Sequence, residues 1–290
     1  MTMRDMALIV TTTLIWGVNF VVIKWGVGDI DAATMTALRF ALVAFPLVFF
    51  VKKPSVPLKI IAGYGVLFGC GIWGLINYSI SLGTPAGLAS LLLQLSVFMT
   101  ALAGVFVFNE KVSFNKATGI FLAFVGFMLV VAHSFSTASS LGIFLVFLAA
   151  LSWAGCNVII KIFKPKDALG FIVWSSMFVP IPIVILAFIQ SPSVLTEMHI
   201  PGWKGIVSVL FQAGVTTIFG YWIWTKMIVR YGLAQVSPFS LIVPLSGLFF
   251  SWLIYGEKLG PLEIWGAVFV ISGLILVSGI FPERKKVSTS

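Results

Sequence analysis

Two apolar segments of the chain repeat a pairing of an aromatic side chain with an amide side chain. WGVNFVVIK begins at Trp16 and includes Asn19, and WAGCNVIIK begins at Trp153 and includes Asn157. An amide buried in lipid is costly unless it is paired. The two asparagines could hydrogen-bond a polar substrate, or they could join helices, as polar residues commonly do in membranes. The two tryptophans lie too deep in their segments for the interfacial belt, so that they either pack or contact a substrate.

Two other apolar segments carry isolated polar residues and a proline. The first segment contains Gln94 and Ser96, and the second contains Ser240 and Pro244. A proline inside a helix removes a backbone hydrogen bond and frees a carbonyl group. Interrupted membrane helices are tolerated where they border a cavity. Pro244 therefore predicts a break in the middle of a helix, which either lines a cavity or is an ordinary kink.

Two aromatic and polar patches complete the candidate substrate-binding set. Trp73 and Asn77 are four residues apart and face the same side of a helix, with Tyr78 next to them. Tyr221 belongs to a similar patch later in the chain. Aromatic residues also form belts at both membrane surfaces, and the sequence alone does not separate the belt residues from those that contact a substrate.

The charged residues in and near the apolar segments bear on the kind of substrate. Arg39 falls inside an apolar segment, where it could pair with Asp29 or Asp31, reach the lipid headgroups, or bind a carboxylate. No Asp or Glu falls inside an apolar segment except at a boundary, so a carboxylate proton relay is not apparent. Because the central candidates are amides, hydroxyls and aromatic rings, the expected substrate is neutral or zwitterionic.

The residues that enzymes and cofactors need are missing from the apolar segments. Cys70 and Cys156 do not have metal-site spacing, and there is no glycine-rich phosphate loop. We therefore expect no enzyme, no cofactor and no metal site. The net charge of +9 is interpreted as cytoplasmic loop lysines and arginines and not as a nucleic-acid surface.

The composition indicates an all-α polytopic membrane protein. Of the 290 residues, 60% are hydrophobic and 9% are charged, with a mean hydropathy of +1.11. Soluble domains carry about 25% charged residues, so lipid must cover this chain. A transmembrane helix needs about 20 apolar residues, which predicts ten spans: 6–26, 33–51, 60–81, 86–108, 114–132, 141–163, 170–190, 205–228, 233–255 and 261–281.

The chain is interpreted as a tandem duplication with inverted topology. FNEK returns as YGEK, and the offset from Glu110 to Glu257 also relates Gly119 to Gly266. We assign residues 1–136 and 137–290 to two five-helix repeats. Most Lys and Arg fall on one side when both termini are cytoplasmic. Because five spans is an odd number, the second repeat crosses the membrane in the opposite sense, which places a substrate site near the midplane between the repeats.

These motifs resemble the drug/metabolite transporter superfamily, EamA type. The resemblance depends on WGVNFVVIK, LRFALVAF, PAGLASLLLQ and the repeated Glu-Lys ends, and it covers essentially the whole chain. It implies a central cavity lined by spans one, three, four, six, eight and nine. Carried over by position, the implied cavity residues are Trp16, Asn19, Gln94, Ser96, Trp153, Asn157, Ser240 and Pro244.

The resemblance implies a bacterial inner-membrane exporter of amino acids or related metabolites, with cysteine or O-acetylserine as the specific expectation. We expect alternating access through a midplane cavity. Coupling to protons and facilitated diffusion both remain open. The alternative is a flippase for a lipid or a lipid carrier, which the same superfamily contains.

Overall fold

The computed structural model describes residues 1–108, 114–134, 139–190, 201–231, 239–240, 242–256 and 260–278. Within these ranges all regular structure is helical, which confirms the all-α class. The repeated Glu-Lys pairs at Glu110, Lys111, Glu257 and Lys258 lie outside the described residues.

The helices follow the apolar segments of the sequence. In the first half they are α1 (Met3–Gly26), α2 (Ala32–Leu47), α3 (Leu58–Gly65), a π-helical segment π1 (Val66–Gly74), α4 (Leu75–Ser81), α5 (Ala86–Leu92), α6 (Leu95–Phe108) and α7 (Phe114–Ser134). In the second half they are α8 (Ser140–Phe163), α9 (Ala168–Ser176), α10 (Pro180–Gln190), α11 (Trp203–Leu210), a second π-helical segment π2 (Phe211–Phe219), α12 (Gly220–Tyr231), α13 (Ile242–Tyr255) and α14 (Pro261–Ser278).

Five stretches of helix are long and apolar enough, by length and composition, to cross a membrane: Met3–Gly26, Leu58–Ser81, Ser140–Ile160, Ala168–Phe188 and Trp203–Trp224. They match the predicted spans one, three, six, seven and eight. Shorter apolar helices occur at Ala32–Leu47, Ala117–Gly126, Ile242–Tyr255 and Ile264–Gly273, within four further predicted spans. The total of ten spans stays a prediction.

The described helices begin or end inside two of the predicted spans. The predicted fourth span is broken, because α5 ends at Leu92 and α6 begins at Leu95, which leaves Gln94 between them. In the predicted ninth span, α13 begins at Ile242, so that Pro244 lies in its first turn. An N–H group in the first turn has no partner within the helix, and proline is therefore tolerated there. Most residues of this span before α13 (232–238 and 241) lie outside the described residues, so the expected interruption at Pro244 stays a prediction.

The two π-helical segments occupy equivalent places in the two halves. π1 lies inside the predicted third span, and π2 lies inside the predicted eighth span, which is the third span of the second half. In π2 the hydroxyl of Thr217 donates to the carbonyl oxygen of Gln212, five residues earlier, at 2.7 Å. π-helical turns are rare and frequently mark functional sites.

Helices of the first half pack mainly on helices of the second. α1 packs against α13 and against α11, π2 and α12, and α8 packs in a matching way against α6 and against π1 and α4. α2 packs against α9 and α10, and α7 packs against α14. Small residues permit close approach: a methyl group on Gly17 of α1 would collide with Ser246 of α13. The centre of the molecule is therefore built from both halves.

Candidate functional site

An aromatic cluster lies where α1, π1, α8 and α12 meet. It consists of Trp16, Phe68, Trp73, Trp153 and Tyr221. The ring centroids of Trp16 and Tyr221 are 5.1 Å apart, those of Phe68 and Tyr221 are 5.3 Å apart, and those of Trp73 and Trp153 are 6.4 Å apart. Four of its five members were predicted as substrate-binding residues. Phe68 was missed, because a phenylalanine in an apolar run carries no signal of its own.

Asn19 ties α1 to π2 and also leaves one donor unused. Its side chain is fully buried, and its Oδ1 atom accepts a hydrogen bond from the Thr216 hydroxyl at 2.9 Å. The Trp16 Nε1 atom donates to the Thr216 carbonyl oxygen at 3.1 Å. The Nδ2 atom of Asn19 has no partner in the structure. The role of Asn19 in joining helices is therefore visible, and a donor remains for another group.

The other two predicted amides also join helices. Asn77 is fully buried, and its Nδ2 atom donates to the Thr36 hydroxyl at 2.8 Å, while its Oδ1 atom has no partner. Asn157 is half-buried, and its Nδ2 atom donates to the Thr100 hydroxyl at 3.0 Å. That hydroxyl in turn donates to the carbonyl oxygen of Ser96 at 2.6 Å. Asn157 is thereby connected to the predicted site residue Ser96.

The remaining predicted residues lie in different surroundings. Gln94 and Ser96 are buried at the break between α5 and α6. Ser240 is half-buried and Pro244 is buried. Tyr78 has 38% of its surface exposed, so that it is the predicted site residue that points most clearly away from the interior.

Arg39 is the functional candidate that sequence reasoning misplaced. It is fully buried in α2, where its Nε and Nη2 atoms donate to the Thr217 hydroxyl at 3.1 and 2.9 Å. Its Nη1 atom donates to Gln212 Oε1 at 3.1 Å. The guanidinium carbon lies 4.1 Å from the ring centroid of Trp73, which is a cation–π distance. A fixed positive charge therefore adjoins the aromatic cluster.

The predicted partners of Arg39 are engaged elsewhere. Asp29 Oδ2 accepts from the backbone N–H of Gly205 at 2.7 Å, and Asp31 caps α2 by accepting from the N–H of Thr34 at 2.8 Å. Pairing with either aspartate and snorkelling to the headgroups were both wrong. The expectation that the central residues are only amides, hydroxyls and aromatic rings, with no fixed charge among them, was wrong for the same reason. The available signal was the position of the arginine in the middle of an apolar run.

Other ionisable groups of the described ranges lie outside the aromatic cluster. No group of three His, Cys, Asp or Glu side chains among these residues could hold a metal ion. The buried carboxylate of Asp5, at the start of α1, forms an ion pair with Arg230 Nη1 at 2.9 Å. This pair lies near the ends of α1 and α12, away from the aromatic cluster in sequence and along both helices.

A bundle of apolar helices with a polar and aromatic centre formed by both halves of the chain is the architecture of a polytopic membrane transporter. The comparisons with known proteins agree. The model of the EamA-like transporter family matches the chain twice, at residues 3–132 and 140–279. The chain belongs to this family.

Several relatives align over nearly the full length. The chain is 34% identical to the "Probable amino-acid metabolite efflux pump" of Escherichia coli strain K12 and 36% identical to that of Salmonella typhimurium, each alignment covering 95% of both chains. It is 26% identical to the "Uncharacterized transporter YoaV" of Bacillus subtilis, over 96% of this chain and 97% of that protein. A crystal structure of a protein with 15% identity superposes with a TM-score of 0.64 and covers 95% of this chain and 96% of its own. At that identity the superposition speaks for the fold alone.

Proposed function

We propose that this protein exports small amino-acid-type metabolites across the bacterial inner membrane by alternating access, and that cysteine or O-acetylserine is its substrate. The observation that carries the proposal is the buried set of polar and aromatic side chains between the two halves. Trp16 and Asn19 come from α1, and Thr216 and Tyr221 come from π2 and α12. The two relatives named as efflux pumps support the substrate class.

The proposed scaffold is a pair of inverted five-helix repeats, with ten spans and both termini in the cytoplasm. The packing pattern supports it, since exchanging described helices for their counterparts in the other half relates the main contacts between the halves to one another. The contact of α1 with α13 corresponds to that of α8 with α6, and the contact of α2 with α10 corresponds to itself. The two family matches, at 3–132 and 140–279, support the same division.

Export in this scheme proceeds by rocking of the half-bundles about the central site. The contacts that join the halves include single hydrogen bonds, such as those from Trp16 Nε1 and from the Thr216 hydroxyl. Interhelical hydrogen bonds in membranes average about 0.6 kcal/mol, so that breaking and remaking one of them during each cycle costs little. The aromatic faces of Trp16 and Tyr221 supply surfaces on which a substrate ammonium group can bind by cation–π attraction.

Efflux from proteoliposomes tests the proposal. Purified protein is reconstituted into vesicles loaded with labelled cysteine, O-acetylserine and a panel of other amino acids, with and without a pH gradient. We expect efflux of at least one member well above that from protein-free vesicles. Dependence on the gradient would contradict a facilitator and support proton coupling. Transport of none of the panel, with lipid-probe scrambling in the same vesicles, would replace the exporter with the flippase.

A further inference from the structure

We infer that Arg39 binds the carboxylate of the transported metabolite. The inference rests on the proposed function, because it names the group that recognises the substrate at the same central site. It restricts the substrates to molecules that carry a carboxylate next to their other polar groups. A metabolite of the same size without a carboxylate would lack the group that Arg39 binds.

The charge of Arg39 is not neutralised by the residues that surround it. Arginine stays protonated in proteins, and the partners of this guanidinium are a hydroxyl group on Thr217 and an amide oxygen on Gln212. Neither carries a negative charge, and the described residues form no ion pair with Arg39. Burial of a charge without a counter-charge is unfavourable. An anionic ligand at this point would relieve that cost, and a neutral ligand would not.

The neutral partners hold the guanidinium in a fixed orientation. The Thr217 hydroxyl uses its own proton to bond the carbonyl oxygen of Gln212 at 2.7 Å, which leaves its lone pairs for Arg39. The amide nitrogen of Gln212 donates to the Ser208 hydroxyl at 3.0 Å, and this bond directs Oε1 toward Arg39. Thr217, Gln212 and Ser208 are therefore positioning residues, because each acts on the ligand only through the guanidinium.

Unused donors remain on the group that these partners orient. The three hydrogen bonds to Thr217 and Gln212 use three of the five N–H donors of a guanidinium, and the other two are left for a ligand. The Nε1 donor of Trp73, whose ring lies under the guanidinium, also has no partner. The Tyr221 hydroxyl is beside this indole but makes no hydrogen bond of normal geometry to Nε1.

A cluster of unused donors around a positive charge selects an acceptor-only anion. A carboxylate offers two coplanar oxygens, which match the fork of a guanidinium. The aromatic rings of Trp73 and Tyr221 line the same place and suit the apolar part of a small metabolite. An amino acid satisfies both requirements. A phosphate monoester would also satisfy the donors, so it is included in the test.

The first test compares analogues on the wild-type protein, which removes any question of folding. One amino acid that the vesicles transport is chosen, and its uptake by counterflow is challenged with the unlabelled parent, with its carboxamide, with its decarboxylated amine and with a phosphate monoester of similar size. The carboxamide and the amine keep the ammonium group and lose the anion. We expect both to compete at least tenfold more weakly than the parent.

Equal competition by the parent and the carboxamide would overturn the role of Arg39. Stronger competition by the phosphate ester than by the parent would replace the carboxylate with a phosphate as the ligand. If the wild-type protein transports no amino acid at all, the proposed function itself fails, which separates the two outcomes.

The second test changes the residue. Arg39→Gln keeps hydrogen-bond donors and removes the charge, and Arg39→Lys keeps the charge and removes the fork. We expect the Gln variant to lose at least 100-fold in transport of the parent while the carboxamide competes as well as the parent does in that variant. The Lys variant should recover part of the preference for the parent. A Gln variant that is folded and still prefers the parent as strongly as the wild type would refute the proposal.

Discussion

Replacing Gly17 with alanine tests how closely α1 and α13 approach across the two halves. A Cβ atom at this position would collide with the Ser246 side chain and lie 2.6 Å from the carbonyl oxygen of Val243. The serine cannot turn away freely, because its hydroxyl donates to the Leu14 carbonyl oxygen at 2.9 Å. The backbone oxygen of Val243 can move only if α13 itself moves. Gly17→Ala must therefore separate two packed helices.

The expected magnitude follows from two opposing effects. Gly→Ala in a helix interior stabilises by about 1 kcal/mol when the methyl group has room, and overpacking a tight site costs about 1–3 kcal/mol. Gly63, in α3, supplies the control, since a Cβ there would meet no atom within 4 Å. We expect Gly63→Ala to be neutral or stabilising and Gly17→Ala to fall about 1–3 kcal/mol below it, because the gain in helix propensity is common to both variants.

Thermal unfolding in detergent measures the difference. A thiol-reactive fluorescent dye reports unfolding through Cys156, which is 2% exposed in the folded protein. The Gly17→Ala variant should melt several degrees below Gly63→Ala, because about 1 kcal/mol shifts the midpoint by about 2–4 °C in a chain of this size. Equal midpoints for the two variants would refute the close packing of α1 on α13.

Three further changes address the polar contacts. Asn157→Ala and Asn19→Ala each remove an interhelical hydrogen bond, so we expect transport to fall several-fold with expression unchanged; poor expression of both would mean that they mainly hold the fold. Tyr78→Phe should leave transport rates within about twofold of the wild type, because this side chain is 38% exposed. A large loss of transport would mean that the Tyr78 hydroxyl contacts the substrate. Arg230→Gln removes the ion pair between Arg230 and the buried Asp5 carboxylate, so the melting midpoint should drop. The drop should shrink at high salt, because salt screens the attraction between the two charges; a drop that does not change with salt would contradict this.

The sequence predicted the helical class and most members of the aromatic cluster, because those inferences need only composition and helical spacing. Trp16 was identified from its depth in an apolar run and Trp73 from its helical spacing to Asn77, and both lie in the cluster. The surroundings of Arg39 could not be predicted in the same way. They depend on Gln212 and Thr217, which are far away in sequence and reach Arg39 only through packing of α2 on π2.

The sequence patterns also failed to predict where helices are interrupted and where they become π-helical. Proline is usually the strongest sign of an interrupted helix, yet Pro244 falls in a first turn, and the break in the predicted fourth span occurs at Gln94 with no proline there. Neither π-helical segment contains a proline, and the sequence analysis did not predict a π-helix at either place. Both features depend on what packs around them.

The π-helical segments make the orientation of the third span of each half depend on how its backbone is hydrogen-bonded. Each residue that is added to or removed from the turns of a helix rotates the residues beyond that point by about 100° about the helix axis. If π2 returned to α-helical pairing, the Thr216 carbonyl and the Thr217 hydroxyl would turn away from Trp16 and Arg39. Any change of π2 to α-helical pairing would therefore disturb the partners of Trp16 and Arg39 together, which couples the geometry of this helix to the central site.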